Sequence, residues 1–155
     1  NVGNIILETI SVEYHETIMA ASGHQAEENL HDAVNKYKGK FVCIVEGAIA
    51  TKYNGAYGKV GGRTFLEVAK DVVPKAAATI ALGTCACYGG IASAEPNPGG
   101  YKGLGEALDI KVTLGSSIQS AQATFPGREG CCKLLAADCE LYVSKYFNFG
   151  ILEFC

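Results

Sequence analysis

The sequence predicts a doubly wound α/β domain on a parallel sheet, and three observations carry that prediction. Short continuous apolar runs recur at Phe41–Val45 (FVCIV), Ala77–Leu82 (AATIAL) and Ile110–Leu114 (IKVTL). Helical patterns alternate with them, at a spacing that suits right-handed crossovers between parallel strands. Composition agrees: 155 residues suffice for one domain with a proper core, and 48% hydrophobic with 19% charged residues is ordinary for a globular chain.

Residues Ser22–Tyr37 form the first predicted helix. Ala26, Leu30, Ala33, Val34 and Tyr37 recur at helical spacing, Ser22 is placed to cap the start, and Gly39 follows the end. Phe41–Val45 then has the β-branched, uninterrupted character of a strand buried on both faces. Thr64 and Glu67 stand three apart in a capping-box pattern that opens a second helix, which must stop before Pro74. Ala77–Leu82 is the next buried strand, Pro96–Gly100 a loop, Leu104–Leu108 a short helix and Ile110–Leu114 the third strand.

The net charge of −3 gives no basic field for nucleic acid or an anionic membrane surface. The apolar stretches are far shorter than a membrane span, and no signal peptide opens the chain. Because the chain starts at Asn1 and stops at Cys155 without a closing element, we expect a fragment or a processed chain, incomplete at both ends. Its seven cysteines (Cys43, Cys85, Cys87, Cys131, Cys132, Cys139 and Cys155) are odd in number and irregularly spaced. Metal ligation or reduced thiols suit them better than a disulfide framework.

Ligands in parallel α/β sheets sit beyond the carboxyl ends of the strands. Those ends are Glu46-Gly47, Gly83-Thr84-Cys85 and Gly115-Ser116, so a carboxylate and a cysteine should meet at one edge. Cys85, after the tight turn that Gly83 permits, reads as a metal ligand, a redox thiol or a small buried side chain. Cys87 and Cys43 read as core. Glu46 reads as a turn carboxylate, a proton carrier or a neighbour of a metal centre. The run Gly58-Lys-Val-Gly-Gly-Arg-Thr64 resembles a phosphate loop but fails the pattern, with Tyr57 in place of the first glycine and Arg63 in place of lysine. It reads as a solvated loop or partner surface. His15, His24 and His31 show no ligand spacing; His31 reads as a surface residue, His24 as packed or at an interface.

Several motifs then fall in one order: Glu46-Gly47-Ala48-Ile49, Gly58 to Thr64, Gly83-Thr-Cys-Ala86 and Pro96-Asn-Pro98. With Tyr14-His-Glu-Thr-Ile-Met-Ala-Ala-Ser-Gly-His-Gln-Ala-Glu27, they make the chain resemble the small subunit of nickel–iron hydrogenase, over roughly residues 5–112. The resemblance implies a flavodoxin-like domain that holds a proximal 4Fe–4S cluster on four cysteine thiolates and faces the large, nickel–iron subunit. It implies that Cys85 is the third ligand, that Gly83 and Thr84 belong to the same cluster-binding segment, and that Glu46 lies close to the cluster. Gly90 stands where oxygen-tolerant members carry an extra cysteine, which implies an ordinary, oxygen-sensitive cluster. A downstream acceptor such as a cytochrome, and a periplasmic location or one on the periplasmic face of the cytoplasmic membrane, are further implications; the export signal would lie upstream of Asn1. Related alternatives are an iron–sulfur subunit of a respiratory complex and a cluster-free flavodoxin-like module.

The departures define a division of the chain. The family's early C-x-x-C would precede Asn1. From Thr113-Leu-Gly-Ser-Ser-Ile-Gln-Ser120 onward no Cys-Pro-Pro segment follows, so residues 1–112 are expected to form part of the cluster domain and residues 113–155 a tail outside the resemblance, arising from a frame error or divergence. Ala50 stands where proline is usual. With one matched ligand position out of four, the chain alone is expected not to hold a stable cluster.

Overall fold

The computed structural model describes residue 8, residues 10–115 and residues 148–154. In chain order it contains β1 (Ile10–His15), α1 (His24–Lys36), β2 (Val42–Glu46), β3 (Ile49–Ala50), β4 (Lys59–Val60), β5 (Arg63–Thr64) and α2 (Phe65–Val72). There follow β6 (Ala78–Leu82), α3 (Gly83–Tyr88), β7 (Tyr101–Lys102), α4 (Leu104–Leu108), β8 (Thr113–Gly115) and β9 (Asn148–Phe154). Single 3-10 turns sit at Lys52–Gly55, Val73–Lys75 and Gly90–Ser93.

Each helix follows from its local sequence, with one correction. In α1 the predicted apolar positions Leu30, Ala33 and Val34 are the buried ones. Ser22 does not cap it: Gly23 occupies the cap position at φ 59, a left-handed conformation that glycine reaches without strain, and no side chain caps the first turn. The capping box at α2 is complete. The Thr64 hydroxyl accepts the Glu67 N–H at 3.1 Å, and the Glu67 carboxylate accepts the Thr64 N–H at 2.8 Å. Pro74, lacking an N–H, falls in the 3-10 turn after the helix ends.

The main sheet has five strands in the order β1-β9-β2-β6-β8. Strands β2, β6 and β8 pair in parallel, while β9 runs antiparallel to both β1 and β2. The sheet is therefore mixed, with β1, β2, β6 and β8 sharing one direction. The third predicted strand shifts from 110–114 to Thr113–Gly115. Asp109 ends α4 at φ 55, and the Ile110 N–H closes that end on the Gly105 carbonyl at 3.0 Å, so Ile110 serves the helix cap rather than the sheet.

One core lies against one face of this sheet. It joins Tyr14, Cys43, Val45 and Ala81 from the strands with Leu30 and Val34, Leu66, Val68 and Val72, Ala86, and Leu104 from the four helices. Phe41 is fully buried at the entrance to β2. Strands β1, β2, β6 and β8 advance across the sheet in one direction, and right-handed crossovers then carry their helices to a common side. The run at 41–45 is accordingly buried on alternate residues: Cys43 and Val45 are at 0% exposure, whereas Val42 and Ile44, like Ile80 beside them, are half-buried.

Candidate functional site

The carboxyl ends of β2 and β6 coincide, with Glu46 in register with Leu82. At both ends the backbone turns away through a left-handed glycine, Gly47 at φ 94 and Gly83 at φ 82. Past Gly83 the chain enters α3, whose first turn carries Thr84, half-buried, and Cys85, exposed. Glu46 is exposed. A carboxylate and a thiol thus occupy the same edge of the sheet, as the strand ends predict.

The three described cysteines form no disulfide and sort by environment. Cys43 is completely buried in β2, and burial pushes its thiol well above the usual range, so it stays protonated and inert. Cys87 is buried in α3, its thiol donating to the Ala81 carbonyl at 3.2 Å. Cys85, two residues earlier, points to the surface. About half a helical turn therefore separates a packing thiol from an accessible one. Cys131, Cys132, Cys139 and Cys155 lie outside the described residues.

A pair of glycines shapes the space beside Cys85. Gly89 and Gly90, at φ 92 and 53, reverse the chain after α3 and send the 3-10 turn Gly90–Ser93 back along it. The Gly89 N–H closes the helix on the Cys85 carbonyl at 2.8 Å. A Cβ placed on Gly90 would lie 2.7 Å from Cys85 Sγ and 3.0 Å from its Cα, so no side chain fits there unless the cysteine moves. Ser93, 2% exposed, donates its hydroxyl to the Gly90 carbonyl at 2.9 Å and pins this turn. Sequence reasoning singled out Gly90 but not Ser93, whose role shows only once the turn folds back.

Among the described residues, no three His, Cys, Asp or Glu side chains converge as a metal site. Cys85 fits one position of a four-thiolate group, and the described residues do not complete the other three. The histidines stay apart from this edge's chemistry: His31 is exposed and contacts Asn35, His24 is exposed at the start of α1, and His15 Nδ1 accepts the Thr17 N–H at 3.1 Å.

The glycine-rich run 58–64 is a hairpin, β4 paired with β5, rather than a loose loop. Its Arg63 reaches Glu27 on α1 at 3.5 Å and Asp71 on α2 at 3.1 Å, and Asp71 also binds Lys75 at 2.6 Å. The Lys75 hydrogen bond, with Arg63, holds the Asp71 carboxyl below the usual range. Near this network Glu16, half-buried just after β1, is pushed up to about 7, first by burial and then by the Glu27 charge. A groove of about 420 Å³ between β1 and α1, lined by residues such as Tyr14, Met19, Asp32 and Tyr37, contains none of Glu46, Gly83, Thr84 or Cys85.

Comparison with known proteins places these features in a family. A family model described as NADH ubiquinone oxidoreductase, 20 Kd subunit, matches residues 1–126. The chain is 60% identical over 104 residues to the periplasmic NiFe hydrogenase small subunit 1 of Nitratidesulfovibrio vulgaris, a match covering 67% of this chain and 32% of the relative. It is 47% identical over 113 residues to the hydrogenase-2 small chain of Escherichia coli K12, covering 73% and 30%. Among solved structures, the NiFeSe hydrogenase of Desulfovibrio vulgaris Hildenborough superposes with a TM-score of 0.68 at 33% identity, over 75% of this chain and 44% of that one. The chain spans about a third of the length of the curated relatives it matches. Its sheet and crossover helices match part of the flavodoxin-like α/β fold of those structures, with the described helices on one face of the sheet. The chain belongs to the NADH ubiquinone oxidoreductase 20 Kd subunit family, within which it matches the small subunits of nickel–iron hydrogenases.

Proposed function

We propose that the chain is the electron-transfer, small subunit of a nickel–iron hydrogenase, and that Cys85 is a thiolate ligand of its proximal 4Fe–4S cluster. The single observation that carries this is the sorting of thiols at the sheet edge: Cys85 is exposed where Cys43 and Cys87 are buried. When bound, such a cluster supplies one-electron transfer at a potential set by burial and hydrogen bonding. The chain's own residues prepare the place. Gly83 lets the backbone turn close to the group, Thr84 and Glu46 flank it, and Gly90 leaves the Cys85 sulfur room. The remaining three thiolates come from outside the described residues.

On this reading the partner is the large, nickel–iron subunit, where hydrogen is split, and electrons pass on to an acceptor such as a cytochrome. Relatives named as periplasmic support a periplasmic location. The test is the complex purified anaerobically with and without Cys85→Ser. Expected is loss of the proximal cluster's paramagnetic signal, with a fall of close to four iron and four sulfide per complex. Retention of both would sink the assignment. A second reading, an iron–sulfur subunit of a respiratory complex, is favoured by the description of the matching family model. Hydrogen-dependent reduction of a viologen dye by the complex separates the two.

A further inference from the structure

Among the described residues two polar side chains are buried, Thr64 and Ser93. Burying a hydroxyl is unfavourable unless a hydrogen bond replaces the lost water. The Thr64 hydroxyl has its place in the capping box of α2. Ser93 caps no helix. It closes the 3-10 turn Gly90–Ser93, and its hydroxyl is committed to the Gly90 carbonyl.

Three contacts tie Ser93 to the glycine pair before it. Its N–H donates to the Gly89 carbonyl at 3.2 Å and its hydroxyl to the Gly90 carbonyl at 2.9 Å. Its side chain also fills the space over Gly89, where an added Cβ would lie 2.6 Å from Ser93 Cβ. The pair needs such a hold. Glycine enters and leaves left-handed backbone freely, so two in succession do not define a path for the chain.

The pair in turn holds Cys85. Helix α3 has six residues, too few to keep its shape unaided, so its neighbours decide where the thiol sits. The Gly89 N–H closes the helix on the Cys85 carbonyl. Gly90 faces the sulfur, the Cα and the backbone nitrogen of Cys85, and an added Cβ would lie 2.7, 3.0 and 3.2 Å from them. Both glycines are buried although Cys85 is exposed, so this turn covers one flank of the thiol. Solvent exposure and the groups around a ligand sulfur set the potential of an iron–sulfur cluster. The reduced form carries one more negative charge, so water admitted beside the sulfur favours reduction.

We propose that Ser93 is the positioning residue of the Cys85 thiolate: through Gly89 and Gly90 it fixes where the sulfur sits and keeps water from one flank of it. The consequence for a cluster rests on the electron-transfer reading above. Two measurements test it on Ser93→Ala, which loses the hydroxyl and keeps the packing carbon. Thr64→Ala, which loses the other buried hydroxyl, is the control for general loosening. The first measurement is alkylation of Cys85 by iodoacetamide in the full chain without a cluster, read by peptide mass spectrometry, with protection of Cys43 showing that the fold is kept. Ser93→Ala is expected to speed it roughly threefold or more, and Thr64→Ala to leave it unchanged. The second is the midpoint potential of the proximal cluster in the complex co-expressed from both subunit genes, titrated by its paramagnetic signal. Ser93→Ala is expected to favour reduction about tenfold, a rise of about 59 mV for one electron, and Thr64→Ala to leave the potential in place. A wild-type value for Ser93→Ala in either measurement overturns the proposal, and so does equal movement in Thr64→Ala. If Ser93→Ala does not assemble with the partner, the alkylation rate decides alone. A Cys85→Ser complex that keeps the cluster's signal overturns the functional reading instead, and the hold of Ser93 on the thiol is still read from alkylation.

Discussion

Replacing Glu16 by glutamine should make this chain more stable, and by an amount that depends on pH. The carboxyl is pushed from 4.5 to about 7 in the folded chain, by burial first and by the Glu27 charge second. Between those two values the folded chain holds a proton that the unfolded chain has released. Stability from this residue is therefore complete below pH 4.5, declines as pH rises toward 7, and is level above it. At about 1.4 kcal/mol per pH unit, and with allowance for partial exposure, the decline comes to roughly 2–3 kcal/mol. For a chain of this size that is roughly 5–10 °C in unfolding temperature. Glu16→Gln removes the titration and keeps the shape. Melting curves for both chains from pH 4 to 8 should show the difference between them growing from pH 4.5 to 7 and then holding steady. Acid loss from Asp71 and Glu67, whose carboxyls are held below the usual range, cancels because both chains share it. A difference that stays constant across the whole range would refute the reasoning.

Gly90→Ala should destabilise the chain by roughly 2–4 kcal/mol, the sum of left-handed strain and a forced contact with Cys85, read as a lower urea midpoint. Iodoacetamide applied to the native chain should label Cys85 quickly and leave Cys43 and Cys87 unmodified; peptide mass spectrometry showing early labelling of either buried thiol would contradict their placement. Thr64→Ala should cost about 1 kcal/mol by removing the hydroxyl half of the capping box, with an unchanged fold by circular dichroism.

What the sequence made legible was local. The capping box, the stop before Pro74 and the left-handed turn at Gly83 each depend on residues a few positions apart, and each is found where expected. The separation of Cys85 from Cys87 follows from helical geometry after a buried strand. Legibility failed where distant segments decide the outcome. Asp109 turned Ile110 to a helix cap, which no apolar pattern announces. Arg63 bridges Glu27 and Asp71, residues that only the folded chain brings together. The clearance between Gly90 and Cys85, and the role of Ser93 in keeping it, depend on a reversal that double glycine permits without specifying. The antiparallel position of β9 is set by pairing across more than a hundred residues, and a seven-residue strand cannot declare its neighbours.

That position of β9 bears on how the chain is made. Ile10 pairs with Phe154, and β9 stands between β1 and β2. A ribosome delivers the chain from its first residue, so β1 leaves the exit tunnel long before the strand that joins it to the rest of the sheet. Until residues 148–154 emerge, β1 and β2 have no hydrogen-bonded link, and closing so long a loop is slow. Helpers that shield β1 during that wait would act well before the sheet can close.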